Sequence, residues 1–496
     1  MHHHLLPALA LVPLLLAACG GKNTEPSEPA TTDAPSTETG TSTTDTTGTT
    51  GTDPTGSTGT GTGTTGATST TAETGLPIVG TAPLQFRGQQ PTRVLMISVD
   101  TFRKDHIGAY GTKNLTPRID QLIADGVALD DHMQCANWTY PTTTCTLLGR
   151  RHVDNGFLPS LLNPGRAPFP AGTDFLATWL TEAGYDTAIS SRNGWLSEEW
   201  NSVQGHTHIL PAHTSLQDQT RIVLDHLRDV PAGTPWYVHI HATEPHTPYT
   251  PPEEYRTGLK ALDPIDIDLD DRDVHYDAGD DWPTMTPEEQ QLLEAHMRVR
   301  YEGEIDWFDD QLADALVAFD KEGFLQNTLV VFWNDHGEQF WENGNQTHAY
   351  DLYGEENDGF AVFWAKNIVP VRHSGPTHAV DVAPTILSAV GVPVPPAATG
   401  YVLGTRPADA PRYAWAVARL GPISSVVRGS QKMIFDWDQA APVRYDRSVD
   451  PDERVDLWGT DPKVDMEMWG LLQEDIERIR TVDPGLQVIW PFGLEP

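Results

Sequence analysis

The chain has 496 residues, enough for one large domain with an appendage or for two or three domains. Its 32 Lys+Arg against 69 Asp+Glu give a formal net charge of −37, a field that repels nucleic acid and anionic lipid head groups and argues against nucleic acid as a partner. The three cysteines, Cys19, Cys135 and Cys145, are too few for a disulfide scaffold and do not have zinc-finger spacing.

The apolar run from Leu5 to Ala18 is short for a bilayer span and has the length of a signal-peptide core. Leu16-Ala17-Ala18-Cys19 looks like a bacterial lipoprotein cleavage box, in which Cys19 is lipidated and becomes the mature N-terminus. The leading "MHHH" departs from that pattern, because it carries no Lys or Arg. Residues 1–19 are therefore expected to direct export and to attach the chain to a bacterial membrane by a lipid alone, facing periplasm or cell exterior. Residues 20–85 are Thr, Gly, Ser and Pro with scattered acids, and no aromatic residue precedes Phe86. Such a segment cannot bury a core and reads as a disordered tether, with a reach of roughly 40 Å for about 55 residues.

Folded structure is expected over residues 86–410, with a smaller subdomain over residues 411–496. "TRVLMISVD", ending at Asp100, is a nearly unbroken apolar run of the kind found in parallel strands covered on both faces. "TPRIDQLIADGV" follows, with Pro early in a helical pattern. "DTAIS", "PWYVHIH" and "NTLVVFWND" read as further strands, and residues 286–319 and 380–390 as helices. Strands alternating with helices predict an α/β fold, a mostly parallel central sheet sandwiched by helices. After Pro411, "RYAWAVA", "SSVVRGS", "QKMIFDWD" and "APVRYDR" read as a small antiparallel sheet, and "MEMWGLLQEDIERIR" as an amphipathic terminal helix.

Ligands of such sheets bind beyond the carboxyl ends of the strands. Asp100, the His241 to His246 stretch and Asp335-His336 each fall there. Two carboxylates and an imidazole suit a divalent cation. Taken singly, an Asp-His pair after a strand also suits a helix cap, and His246 and His348 also suit backbone-bonded loop positions. "WTYPTTTC" leaves two readings open: a threonine-rich turn, or a hydroxyl positioned to attack. Cys135 and Cys145 flank Thr139 in that stretch, as a bridge or as two buried thiols. The acid run "LDPIDIDLDDRDVHYDAGDD" reads as a solvated loop over residues 262–281.

"VLMISVDTFRKDHIGAYG", "TPRIDQLIADGV", "HATEPHTPYTPP", "YEGEIDWFDDQLADALVAFDKEGFLQNTLVVFWNDHGEQF" and "HAVDVAPTILSAVGVP" resemble, in order, the blocks of the sulfatase family of the alkaline phosphatase superfamily. The resemblance covers about residues 90–395, and "QKMIFDW" with "YDRSVDPDERVDLW" is similar to the family's C-terminal subdomain. It implies an alkaline phosphatase-like fold and a hydrolase of sulfuric or phosphoric esters. It implies one divalent metal ion held by Asp100, Asp335 and His336, with Thr139 as a further ligand. Thr139 stands where the family's formylglycine precursor, Cys or Ser of C/S-x-P-S-R, would be. His246 and His348 would contact the leaving group or transferred oxyanion, and Arg192 falls near the family's substrate-binding lysine. Threonine lies outside the formylglycine code, the motif's arginine is Thr143, and Thr101 replaces a second aspartate. Asp-His in place of Asp-Asn favours zinc or manganese, with calcium still possible. A direct threonine nucleophile is more like the superfamily's phosphodiesterases and phosphonate hydrolases, so an anionic phosphate-type ester is the expected substrate. A phosphoryl-group transferase and a catalytically degenerate binding protein are the alternative readings.

Overall fold

The computed structural model describes residues 78–111, 116–159, 168–213, 215–417, 419, 421–491 and 493–494. The expected signal segment, the Cys19 box and most of the expected tether lie outside the described residues. Ten strands form the main sheet: β1 (Ile78–Gly80), β2 (Arg93–Val99), β3 (Val127–Met133), β4 (Asp186–Ser191), β5 (His208–Ile209), β6 (Trp236–Ala242), β7 (Thr328–Asn334), β8 (Asp358–Gly359), β9 (Ala361–Trp364) and β10 (Val371–His378). Their order is β1-β10-β3-β9-β7-β2-β6-β4-β5, with β8 alongside β3. All neighbouring pairs are parallel except those made by β8 and β9.

β2 lies between β7 and β6, and its residues Val94 to Val99 are buried, as the unbroken apolar run requires. Helices cover both faces: α1 (Pro117–Asp125), α2 (Thr139–Leu148), α3 (Leu176–Glu182), α4 (Leu216–Asp229), α5 (Arg272–Asp281), α6 (Pro287–Lys321) and α7 (Val382–Ala389). Thr286 caps α6, accepting from the Glu289 N–H while the Glu289 carboxylate accepts from the Thr286 N–H. Two hydrophobic clusters, one on each side of the sheet, are built from alternating strand residues such as Val94 and Met96 against Leu95 and Ile97.

α2 is a helix despite its threonines. Thr146 and Thr144 return their hydroxyls to the carbonyls of Thr142 and Tyr140, which satisfies them inside the helix. All ten residues are buried. Gly149 ends it at φ 58°, where an added Cβ would also lie 3.1 Å from Pro384 and Ala398. A disulfide joins Cys135 to Cys145, bracing the segment that leads into α2 against the helix's second turn. The segment expected as a solvated loop contains α5, capped by Asp271, and Asp270 is held by Arg256 and Arg300.

The C-terminal part is a four-stranded antiparallel sheet, β11 (Arg412–Val417), β12 (Pro422–Arg428), β13 (Gln431–Asp436) and β14 (Ala441–Asp446), with α8 (Pro462–Val482) packed on it. Its own core joins Val426, Met433, Phe435 and Trp437 to Trp469, Leu472 and Ile476. Arg151 forks onto Asp475 at 2.5 and 2.7 Å, and Arg412 onto Asp131 at 2.7 and 3.0 Å, so bidentate pairs fix this sheet on the main domain.

Candidate active site

β7, β2, β6 and β4 are consecutive parallel neighbours, so their carboxyl ends open on one edge. The register sets Val99 opposite both Asn334 and Ala242. Asp100 and Asp335 follow these ends directly, His241 is the penultimate residue of β6, and Asn193 lies two residues beyond β4.

Asp100, His241 and Asp335 each bring a ligand atom within 4.8 Å of the others, and all three are fully buried. Ser98 Oγ lies 2.8 Å from His241 Nδ1 and 2.7 Å from His239 Nε2, which turns His241 Nε2 toward Asp100. His336 is adjacent: its Nε2 is 3.4 Å from Asp100 Oδ1 and 3.6 Å from Asp335 Oδ2. His336 Nδ1 sits 2.9 Å from the Gly337 carbonyl, a contact that needs the proton on Nδ1 and leaves the Nε2 lone pair facing the carboxylates. Gly337 is required here, since a Cβ would lie 1.9 Å from the Glu355 carbonyl oxygen.

Asp335 Oδ1 accepts from the N–H groups of Thr101 and His336, but its buried Oδ2 has no protein partner. Burial and the facing Asp100 push the Asp335 carboxyl well above the usual range. Asp100 goes the other way: burial alone would raise it, but His246, His241 and His336 hold it well below. Burial, with His348 beside it, depresses His336 far below an ordinary imidazole, so it stays neutral. An orphaned buried carboxylate oxygen facing a second carboxylate and two neutral-capable imidazoles fits a divalent cation, and the imidazoles suit zinc or manganese better than calcium.

Thr139 is the first residue of α2, and its side chain is buried rather than displayed on an exposed loop. Its Oγ1 lies 3.4 Å from His336 Nε2, 3.5 Å from Asp100 Oδ1 and 3.3 Å from Asn193 Nδ2. Asn193 also donates to Asp100 Oδ2 at 2.9 Å. Arg192 is exposed at the end of β4, so the amide that turns into the site belongs to its neighbour. Trp138 and Tyr140, on either side of Thr139, pack with Trp195 and Trp200 at ring separations of 4.5–6.1 Å.

His348 and His246 complete the group. The His348 ring lies 4.5 Å from that of His336 and 5.2 Å from that of His246. Its Nδ1 faces Glu338 Oε1 at 3.0 Å. Burial raises the Glu338 carboxyl to about 8, and burial with the nearby His246 charge lowers His348 well below its ordinary value. His246 Nδ1 contacts the Thr247 carbonyl at 2.7 Å. Three non-glycine residues here have left-handed backbones: Thr101 at φ 54°, and Thr347 and Ala349, on either side of His348, at 71° and 68°. Such conformations in β-branched residues cost about 1–3 kcal/mol each and collect where a site needs fixed geometry.

Sequence reasoning placed the His241 to His246 stretch at the site but gave His241 no ligand role, and it missed Asn193. A further signal for His241 is the pair His239 and His241, two apart on one face of an otherwise apolar strand.

A mostly parallel sheet that gathers carboxylates, imidazoles and a hydroxyl at adjacent strand ends is an alkaline phosphatase-like hydrolase fold. The family model described as Sulfatase matches residues 92–392, and the chain belongs to the sulfatase family of ester hydrolases. It is 26% identical over 254 residues to the multifunctional alkaline phosphatase superfamily protein PehA of Trinickia caryophylli, covering 45% of this chain and 48% of that relative. The chain thus spans about half the length of that curated relative. Its fold is similar to that of BT4656, solved in complex with its substrate D-glucosamine-2-N,6-O-disulfate, with a TM-score of 0.63, 18% identity, and coverage of 80% and 99% of the two chains. It is similar also to the phosphonate monoester hydrolase SpPMH of Silicibacter pomeroyi, with a TM-score of 0.60, 18% identity, and coverage of 78% and 95%. Among the described residues no helix is long and apolar enough to cross a membrane.

Proposed function

We propose that the protein hydrolyses phosphate-type esters, phosphodiesters or phosphonate monoesters, in two displacements through a covalent ester of Thr139. The observation that carries this reading is the position of Thr139 Oγ1, buried at a helix N-terminus within 3.5 Å of Asp100, His336 and Asn193. A divalent cation held by Asp100, His241 and Asp335, beside His336 and Thr139, would acidify a neighbouring hydroxyl and offset charge on the transferred group.

The chain's own groups account for the rest. Asn193 donates to both Thr139 Oγ1 and Asp100 and so orients the nucleophile. Thr139 Oγ1 gives up its proton to solvent and bonds to the phosphorus as the bond to the leaving alcohol breaks, and His246 or His348 supplies the proton that the departing oxygen takes up. The backbone N–H groups at the start of α2 favour the anion. Water then attacks the phosphorus of the threonine ester and gives its proton back to the histidine, while the bond to Thr139 Oγ1 breaks and that oxygen takes a proton back from solvent. Without formylglycine, an unmodified sulfo-threonine has no aldehyde route for sulfate release, so phosphoryl-type esters are favoured over sulfates.

The test is a panel of 4-nitrophenyl sulfate, phosphate, phosphodiester and phosphonate esters with Zn²⁺, Mn²⁺ and Ca²⁺. Phosphodiester or phosphonate turnover with Zn²⁺ or Mn²⁺ is expected. Turnover confined to the sulfate ester would overturn the assignment, and tight anion binding with no turnover of any ester would favour a binding protein.

Arg419 gives a further expectation. It is exposed, its N–H bonds the Ala349 carbonyl at 2.9 Å, and its guanidinium lies over Tyr276 and Tyr350 at 5.8 and 5.2 Å. Its charge reaches both His348 and Glu338. In a chain of net charge −37, this cation at the mouth attracts an anionic ester. Arg419→Ala should raise KM about fivefold, the size of ~1 kcal/mol at an exposed charge, with kcat little changed. A loss confined to kcat would contradict this role.

We also propose lipid attachment at Cys19, on the strength of the Leu16–Cys19 box and the low-complexity tether behind it. Mass spectrometry of membrane-extracted protein should find residues 1–18 removed and a lipid mass on Cys19. An intact Met1 would exclude it.

A further inference from the structure

The geometry points to a second divalent-cation site, formed by Asp186, His208 and His226 and suited to a zinc-class metal. It does not depend on the reading of the active site. Asp186 opens β4, whereas the active site lies beyond Ser191 at the other end of the same strand, roughly 17 Å along the chain at about 3.3 Å per residue. The three residues come from three elements. His208 lies on the edge strand β5, opposite Ala188, and His226 lies in the last turn of α4.

Both imidazoles aim the same atom at the same carboxylate. His208 Nε2 is 3.0 Å from Asp186 Oδ2, and His226 Nε2 is 2.8 Å from Asp186 Oδ1. The three ligand atoms all lie within 4.8 Å of one another, and the rings are 4.6 Å apart. Around tetrahedral zinc, Zn–N bonds of 2.0–2.1 Å set ligand atoms about 3.3 Å apart, so small side-chain rotations suffice. Without a metal, the rings can pair with Asp186 only by donating from Nε2, as one imidazolium beside one neutral ring or as two neutral rings. Two nitrogens and one oxygen suit zinc and disfavour calcium and magnesium, which prefer all-oxygen shells. His226 and Asp186 are mostly buried, while the His208 side chain is 46% exposed, which leaves a coordination position open to water.

The site would also have a structural consequence. β5 has two residues, pairs only with β4 and ends the sheet, with Ile209 49% exposed. A cation bridging β5 and α4 to β4 ties down that edge, so zinc should stabilise the folded chain there by mass action.

Metal-stripped full-length protein titrated with Zn²⁺ and assayed by elemental analysis after desalting tests this. The wild type should hold one equivalent more than the His208→Gln/His226→Gln double variant, and the double variant should keep its ester hydrolysis. Co²⁺ substitution should give visible absorption of four-coordinate cobalt that the double variant loses in part. Asp186→Asn keeps the shape and hydrogen-bonding capacity of the carboxylate, so it serves where the double variant folds poorly; it too should lose one equivalent. Equal zinc content in wild type and these variants would overturn the site, including the case in which the extra zinc sits on His2, His3 and His4.

Discussion

Thr139→Ala is expected to lose turnover by on the order of 10⁴-fold or more, the scale seen when a covalent nucleophile is removed. Fold and stability should change little. The side chain is only 3% exposed, but the substitution removes one hydroxyl and one methyl, and its polar contacts are all longer than 3.2 Å. A cost of about 1 kcal/mol follows. Thr139→Ser should retain partial activity, because it keeps the oxygen while losing the methyl that limits its rotamers. Quenched turnover of the wild type should trap a phosphorylated Thr139 peptide, absent from the alanine variant. Replacing His246 or His348 should cost most for esters whose leaving groups need protonation. Thr139→Ala protein that hydrolyses the preferred ester at the wild-type rate would return this stretch to a structural role.

The central strands were legible because their neighbours bury both faces, leaving unbroken runs such as "VLMISV" and "LVVFW". β3, "VALDDHM", escaped notice because Asp130 and Asp131 interrupt it. The fold compensates those charges with partners distant in sequence, Arg372 and Arg412. β10, "VRHSGPTH", is broken by a bulge between His373 and Pro376, which disguises its period of two. At the site, Asp100, Asp335 and His336 declared themselves by following apolar runs. His241 fell in the stretch read there but was given no ligand role, because a histidine inside a strand reads equally well as a satisfied core residue, and only the chain from His239 through Ser98 orients it. Asn193 was overshadowed by Arg192, whose charge suits an anion but whose side chain is exposed. Thr139 is buried at the start of α2, where its neighbours Trp138 and Tyr140 pack against the rings of Trp195 and Trp200, contacts that no local pattern encodes.

The second large effect concerns Asp335. Asp335→Asn should abolish tight binding of the active-site cation and with it most activity, while making the metal-free protein more stable. Both signs follow from one carboxylate. Oδ1 is occupied by the N–H groups of Thr101 and His336, which an asparagine oxygen still satisfies. Oδ2 is buried without a partner and faces Asp100 and His336, so the charge is useful only when a cation sits there. An amide nitrogen at that position donates toward those acceptors instead and relieves the unpaired atom, worth on the order of 1–3 kcal/mol. Because the folded carboxyl is raised well above its unfolded value of about 3.9, the stability that this group contributes to the metal-free wild type is present below that pH and lost as pH rises through the folded value. The variant, which cannot titrate there, should therefore match the metal-free wild type in acid and exceed it increasingly toward neutral pH. Saturating Zn²⁺ should reverse the order, since only the wild type gains from binding. Thermal melts of both proteins across pH, stripped and zinc-loaded, measure this directly. Unchanged zinc affinity in the variant, or a metal-free variant less stable than wild type at neutral pH, would remove Asp335 from the cation site.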